Sequence, residues 1–349
     1  MNEAPESADA RFIRRALVVI ALAAAALLLW QLRYVVVLLF GAVLISTILR
    51  AIADPMQRHL RVPERFAVMF SVILIVGVMA AVAWAIGTKV ASQSQNLADT
   101  LPRAAQIIDQ RLAGMGLGQP VGQAVRNLHA GGGLIGSDLK NILSSVTLSI
   151  ASFLIVFFGG IFLAAQPRLY GIGTIKLIPP GRRRLVAEAM EESDRALRLW
   201  LKGQLWAMVL IFLMTWGGLW VLGVPSALVL ALISGVLEFV PYAGAIASSA
   251  PAIMVALVIS PELALWVVAL YVIVHHIEAY LVQPVIQQFA VEIPAVITLF
   301  ALLAFGLLFG ILGVLLAAPL AVVSYVLIKR LYVIEALDTP TPIPGEDKD

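Results

Sequence analysis

Four ionisable side chains stand inside apolar sequence: Glu238, His275, His276 and Glu278. An ionisable group at membrane depth is costly, and it usually faces a cavity or a partner group. Glu238 directly precedes Phe239-Val240-Pro241-Tyr242-Ala243-Gly244. Pro241 removes a backbone donor and frees a carbonyl upstream, and Gly244 permits close approach or an unusual backbone angle. Unwound backbone is tolerated in a bilayer only where protein buries it or it lines water. This pattern suits a solute or ion pathway; the alternative is a Glu238 at the interface, where ionisation costs little.

Tyr271, His275 and Glu278 fall on one face of a helix, at spacings of four and three, while His276, Tyr280 and Gln283 fall on a neighbouring face. Histidine titrates near neutral pH, and a carboxylate one turn away tunes it, which suits proton coupling. The other reading is structural, with His and Glu hydrogen-bonding between packed helices. His275 and Glu278 supply two metal ligands where about three are needed, so no metal or other cofactor is expected. No phosphate-cradling loop with Lys and Ser/Thr occurs, nor a His-Glu-x-x-His or Gly-x-Ser-x-Gly pattern, so no enzymatic centre is expected either.

The elements that hold these groups are membrane helices. The chain is 61% hydrophobic and 13% charged, with a mean hydropathy of +0.97. A soluble domain carries about 25% charged residues, so the lipid bilayer is the expected partner of much of this surface. A net charge of +3 without a recognition motif gives no reason to expect nucleic acid. Without cysteine there is no disulfide framework.

Apolar stretches predict spans over 16–32, 34–49, 66–87, 142–165, 203–223 and 264–282, the fourth with Ser137 and Asp138 placed to cap it. Residues 1–15 form a polar N-terminal segment ahead of a signal-anchor helix, and residues 334–349 a disordered tail. Basic residues after the second and fourth spans and at Lys329 and Arg330 place both termini in the cytoplasm of an inner-membrane protein. Residues 88–141 are expected outside as an amphipathic insert. Residues 166–202 are expected inside as a helix laced by the i,i+4 pairs Arg184–Glu188, Glu191–Arg195 and Asp194–Arg198.

The C-terminal transport region, 203–333, contains two apolar runs, 225–260 and 294–328, each near 35 residues. A straight helix of that length would span about 50 Å, well beyond a hydrocarbon core of about 30 Å. Each run is therefore expected to turn as a helical hairpin, at Gly244 in the first and at Gly310, Gly313 and Pro319 in the second. The charge pattern has the two hairpins entering from opposite faces. The expected fold is an all-α polytopic membrane protein with about six to eight transmembrane helices and two broken hairpins. Broken helices arranged in this way hold solutes in alternating-access transporters.

Three blocks in this order, Leu237-Glu238-Phe239-Val240-Pro241-Tyr242-Ala243-Gly244, then His276-Ile277-Glu278 with Pro284, then Phe309-Gly310-Ile311-Leu312-Gly313 through Ala318-Pro319-Leu320, resemble the AI-2E family of bacterial transporters. The resemblance implies a homo-oligomer, a pentamer, that moves a small polar solute without ATP through an elevator-like shift of the hairpin-bearing domain. It implies substrates that differ among members: autoinducer-2 for some, making them exporters in quorum sensing, and sodium against protons for others. It carries the Pro-Tyr-x-Gly turn to Pro241, Tyr242 and Gly244, the Ile-Glu element to Ile277 and Glu278, and the Gly-x-x-Gly turn to Gly310 and Gly313. The chain departs from the family pattern at Ala279-Tyr280, where a small polar residue is common, and at Gln287-Gln288-Phe289, where Gly and a basic residue are common. The expected function is export of a small polar solute coupled to no nucleotide. A sodium/proton antiporter and a non-transporting membrane scaffold or receptor are the alternatives.

Overall fold

A computed structural model of the chain describes residues 31–78, 139–282, 293–339 and a few isolated positions beside them, with only the backbone placed over 139–150. Most of the first expected span, the end of the third, the insert up to residue 138 with Ser137 and Asp138, and Gln283 lie outside the described residues. The described part is helical, with no strand. The elements are α1 (Arg33–Leu60), α2 (64–78), α3 (Leu139–Ala165), α4 (Pro167–Lys176), α5 (Arg183–Val221), α6 (Ala227–Leu237), α7 (Ala243–Ile259), α8 (Pro261–Ile277), α9 (Ala295–Phe309), α10 (Ile311–Leu315) and α11 (Ala317–Ile328). Among the described residues four helices are long and apolar enough to cross a membrane, or five if the bent pair α3–α4 counts as one. The protein is a mostly helical polytopic membrane fold.

α1 and α3 run parallel: Tyr34 Oη pairs with Ser152 Oγ at one end, and Arg50 donates to the Ala164 carbonyl at 2.8 and 3.0 Å at the other. Small residues bring them together. A Cβ on Gly160 would lie 2.5 Å from Ile45, and one on Gly159 would lie 3.1 Å from Ala42. Between membrane helices such close backbone approach supplies dispersion that burial from water cannot. Beyond α3 the chain turns by 91° at Gln166, with Pro167 opening α4. Proline suits that position because its missing N–H would have no partner in a first turn.

α5 is the spine. The sequence suggests a cytoplasmic helix ending at 202 and a span beginning at 203, but the structure runs 39 residues without a break. At 1.5 Å per residue that is about 58 Å. No proline interrupts it, Ala189, Leu197, Leu201 and Ala207 are buried along it, and all three i,i+4 pairs form on its polar N-terminal half. Arg198 adds a link to Asp54 of α1 at 2.8 Å. Arg330, just beyond α11, pairs with Glu188.

Two apolar clusters meet along this spine. One joins Leu219 of α5 to Leu230, Val255, Val267 and Tyr271, packing α6, α7 and α8 against its far end. The other joins Leu197 and Leu201 to Val37 and Leu44 of α1 and to Leu316 between α10 and α11.

Both long apolar runs are broken. The first breaks over 238–242, between α6 and α7, so Gly244 is the second residue of α7 and follows the turn. The second breaks at Gly310, where φ +67° and ψ −145° form a combination open to glycine alone, and again at Leu316. Pro319 is the third residue of α11, where an amide has no intrahelical partner to lose. At each broken run a glycine is laid on the preceding helix. A Cβ on Gly244 would sit 1.9 Å from the Leu237 carbonyl oxygen, and one on Gly313 would sit 1.9 Å from that of Phe305.

Neither contact can yield by a rotamer change, because the opposing atom is backbone. Gly244→Ala and Gly313→Ala should each destabilise the protein by about 1–3 kcal/mol or more through overpacking. Gly217→Ala, in α5 with open space around it, should be neutral or slightly stabilising. Unfolding midpoints of the purified protein in detergent check this; equal midpoints for all three variants would refute the close-approach role.

Candidate functional site

The break between α6 and α7 is held by α5. The Gln204 side-chain amide, itself buried, donates to the Glu238 backbone carbonyl at 2.6 Å. Trp200, one turn earlier, meets the Phe239 ring edge-on at 5.8 Å. Phe239 also belongs to the apolar cluster that contains Phe309, Leu312 and Leu316, so the two broken runs approach each other at this residue. Tyr242 closes the break with φ +65° and ψ −49°, a strained backbone for a residue with a side chain.

These contacts deliver the Glu238 carboxylate to the end of α8. Glu238 is 1% exposed. One ligand atom from each of Glu238, His275 and Glu278 lies within 4.8 Å of the other two. Glu278 starts the π-turn Glu278–Val282 that ends α8. Such widened turns recur at functional sites because they re-aim a side chain within a helix. His275 Nδ1 lies 2.9 Å from Glu278 Oε2. The His275 ring sits 6.1 Å from that of Tyr271, whose hydroxyl pairs with Ser234 of α6 at 2.8 Å.

The cluster has unmet capacity. Neither carboxylate oxygen of Glu238 receives a hydrogen bond, and the buried Nε2 of His275 has no partner. Two buried carboxylates at this separation repel each other unless a proton, a cation or a donor-rich guest comes between them. Beside them opens a cavity of about 770 Å³. Pro241, Tyr242, Ser249, Tyr271, His275 and Glu278 are on its wall, with His276 and Tyr280 also there and Glu238 behind.

The structure thus brings together Glu238, Pro241, Tyr242, Tyr271, His275 and Glu278. His276 stays apart from the carboxylates: it is exposed, and its Nδ1 lies 2.8 Å from the Val272 carbonyl oxygen. Gly244 rests against Leu237 beside the break, and Gly310, Gly313 and Pro319 shape the second broken run, none of them on the cavity wall. Gln204 is the residue of this site that sequence reasoning missed. Its one signal was a lone amide in the apolar stretch that follows Lys202.

The family profile described as AI-2E family transporter matches residues 17–332. The chain belongs to the AI-2E transporter family. Three relatives bear the names of transport proteins. YueF of Bacillus subtilis (strain 168) is 22% identical over 311 residues, 84% of this chain and 83% of its own. YrrI of the same organism is 29% identical over 191 residues, 55% of this chain and 53% of its own. MT0215 of Mycobacterium tuberculosis (strain CDC 1551 / Oshkosh) is 40% identical over 103 residues, 29% of this chain and 28% of its own. The chain thus spans about half the length of YrrI and most of the length of YueF. Within this AI-2E member Glu238 and Glu278 lie in segments that carry the resemblance, while His275 and Gln204 lie outside them.

Gln204→Leu keeps the volume on α5 but leaves the Glu238 carbonyl without its donor. The loss should cost about 1–3 kcal/mol, the penalty of an unsatisfied buried group. Gln204→Asn, too short to reach, should behave alike. Denaturant midpoints decide it, and a wild-type midpoint for both variants would remove Gln204 from the site.

Proposed function

We propose that this chain exports a small polar solute, autoinducer-2 or a related signalling molecule, across the bacterial inner membrane without ATP hydrolysis. The observation that carries the reading is the cavity beside the helix break, backed by the Glu238 carboxylate, whose oxygens lack donors. A hydroxyl-rich solute brings donors on adjacent carbons, and two acceptors held a few ångströms apart suit such a pair. Tyr242 and Tyr271 supply flat apolar surface beside that polar end, the usual composition of a small-molecule site.

Family membership and the transport-protein names of the relatives support movement of a solute. The two broken runs support alternating access by an elevator-like shift of the hairpins, since helix ends bring free amides and carbonyls to a solute. The basic clusters support cytoplasmic termini, and assembly as a homo-oligomer, a pentamer by the family resemblance, belongs to the same proposal. A sodium(lithium)/proton antiporter is the second reading, favoured by the two carboxyl groups gathered at Glu238 and Glu278.

Purified protein in sealed liposomes separates these readings. Autoinducer-2 should move at constant pH, and Glu238→Gln should lower its flux about tenfold or more while insertion and assembly stay intact. Sodium-dependent proton movement with no solute flux would overturn the export reading in favour of the antiporter. A reconstituted protein that moves neither solute nor ions would be a scaffold or receptor.

A further inference from the structure

We propose that Glu238, His275 and Glu278 form a site for one divalent first-row transition metal ion, of which Zn²⁺ is the representative. The proposal concerns the same cluster as the export reading but does not require that the solute be autoinducer-2. From sequence alone only His275 and Glu278 could be paired, one ligand short. The fold adds Glu238 from the break 37 positions earlier than His275, completing three ligand atoms within 4.8 Å of one another.

The second observation is independent of the grouping. Glu238 is 99% buried by its 1% exposure, and both of its oxygens lack a hydrogen-bond partner, as does Nε2 of His275. A buried acceptor without a donor costs free energy, and a buried charge costs far more. Three arginines of the described residues are engaged in ion pairs elsewhere: Arg50 with Asp54 and Glu64, Arg198 with Asp54 and Asp194, and Arg330 with Glu188. A divalent ion balances two carboxylates in charge.

Ligand chemistry selects the kind of ion. Ligands bound at about 2.0–2.2 Å around a tetrahedral zinc stand about 3.4 Å apart. Shifts of about an ångström in side chains would therefore close the site. Ca²⁺ takes six to eight oxygens, and Mg²⁺ demands a near-ideal octahedron and keeps its water. An imidazole with two carboxylates instead suits zinc, manganese or iron. His275 and Glu278 face the cavity, which gives the ion a path in and leaves a coordination position open to a cavity guest.

Titration of the metal-free purified protein with Zn²⁺ alone, by calorimetry in detergent, tests the proposal. One ion should bind per chain. Glu238→Gln, Glu278→Gln and His275→Ala should each weaken binding about tenfold or more, since loss of even an outer-shell partner costs 10–100-fold. His276→Ala, the neighbouring exposed imidazole, and His59→Ala should leave it unchanged. Co²⁺ should give visible absorption bands of low-coordinate geometry in the wild type and lose them in Glu238→Gln, a readout that does not depend on affinity. No binding, or binding that survives the three ligand variants together, would overturn the proposal. A protein that binds Zn²⁺ through these residues yet moves no solute would instead overturn the export reading and leave the metal site standing.

Discussion

Two carboxylates buried side by side in an apolar helical bundle are the constraint on which the rest of this structure depends. Glu238 and Glu278 come from different segments, and no arginine or lysine is paired with Glu238. Apolar surroundings magnify their repulsion, because fields are weakly screened there. Such an arrangement survives only if the surrounding elements are held firmly enough to over-determine it. The break at 238–242 is held in this way: an amide from α5 on its carbonyl, an aromatic from α5 on Phe239, and a glycine pressed against Leu237.

That requirement explains the length of α5. A helix ending at the membrane boundary could pack α6 and α8 or could bind the polar face, but not both. Running unbroken from Arg183 to Val221, it carries ion pairs at one end, Trp200 and Gln204 in the middle and Leu219 in the far core. The same helix contacts α1 through Leu197 and Leu201. Motion of the break relative to α5 would have to release Gln204 and Trp200 together, so these two contacts set the stiffness of the site.

The helical class and the chemistry of single residues were legible in the sequence, because an acid or imidazole in an apolar run stands out against its neighbours. The i,i+4 pairs of α5 were legible for the same local reason and are present. What depends on two distant segments was not. Nothing in the spacing of Glu238 and His275 says that their side chains meet, and so the third ligand atom went uncounted. The glycines were visible as breakers, but their task was misplaced: Gly244 lies after the turn and serves contact, whereas Gly310 supplies the unusual backbone angle. Periodicity reports the face a residue occupies. It does not report which helix lies opposite.

The two broken runs use one device twice and put it to different ends. In each, a glycine at the start of the returning helix rests against a carbonyl of the outgoing one, at the same 1.9 Å from a notional Cβ. Only the first carries chemistry. Between Pro294 and Ile328 there is no Asp, Glu, His, Lys or Arg, whereas the first break opens with Glu238. A broken run without charge can lie against α1 and α5 at little electrostatic cost, and its residues Phe309, Leu312 and Leu316 do so around Phe239. The second run therefore forms an apolar wall against the first break. Water admitted there would screen the carboxylates and weaken whatever they hold. The polar site and the apolar wall are thus two requirements of one arrangement, and the similar turns of the two runs do not imply similar roles.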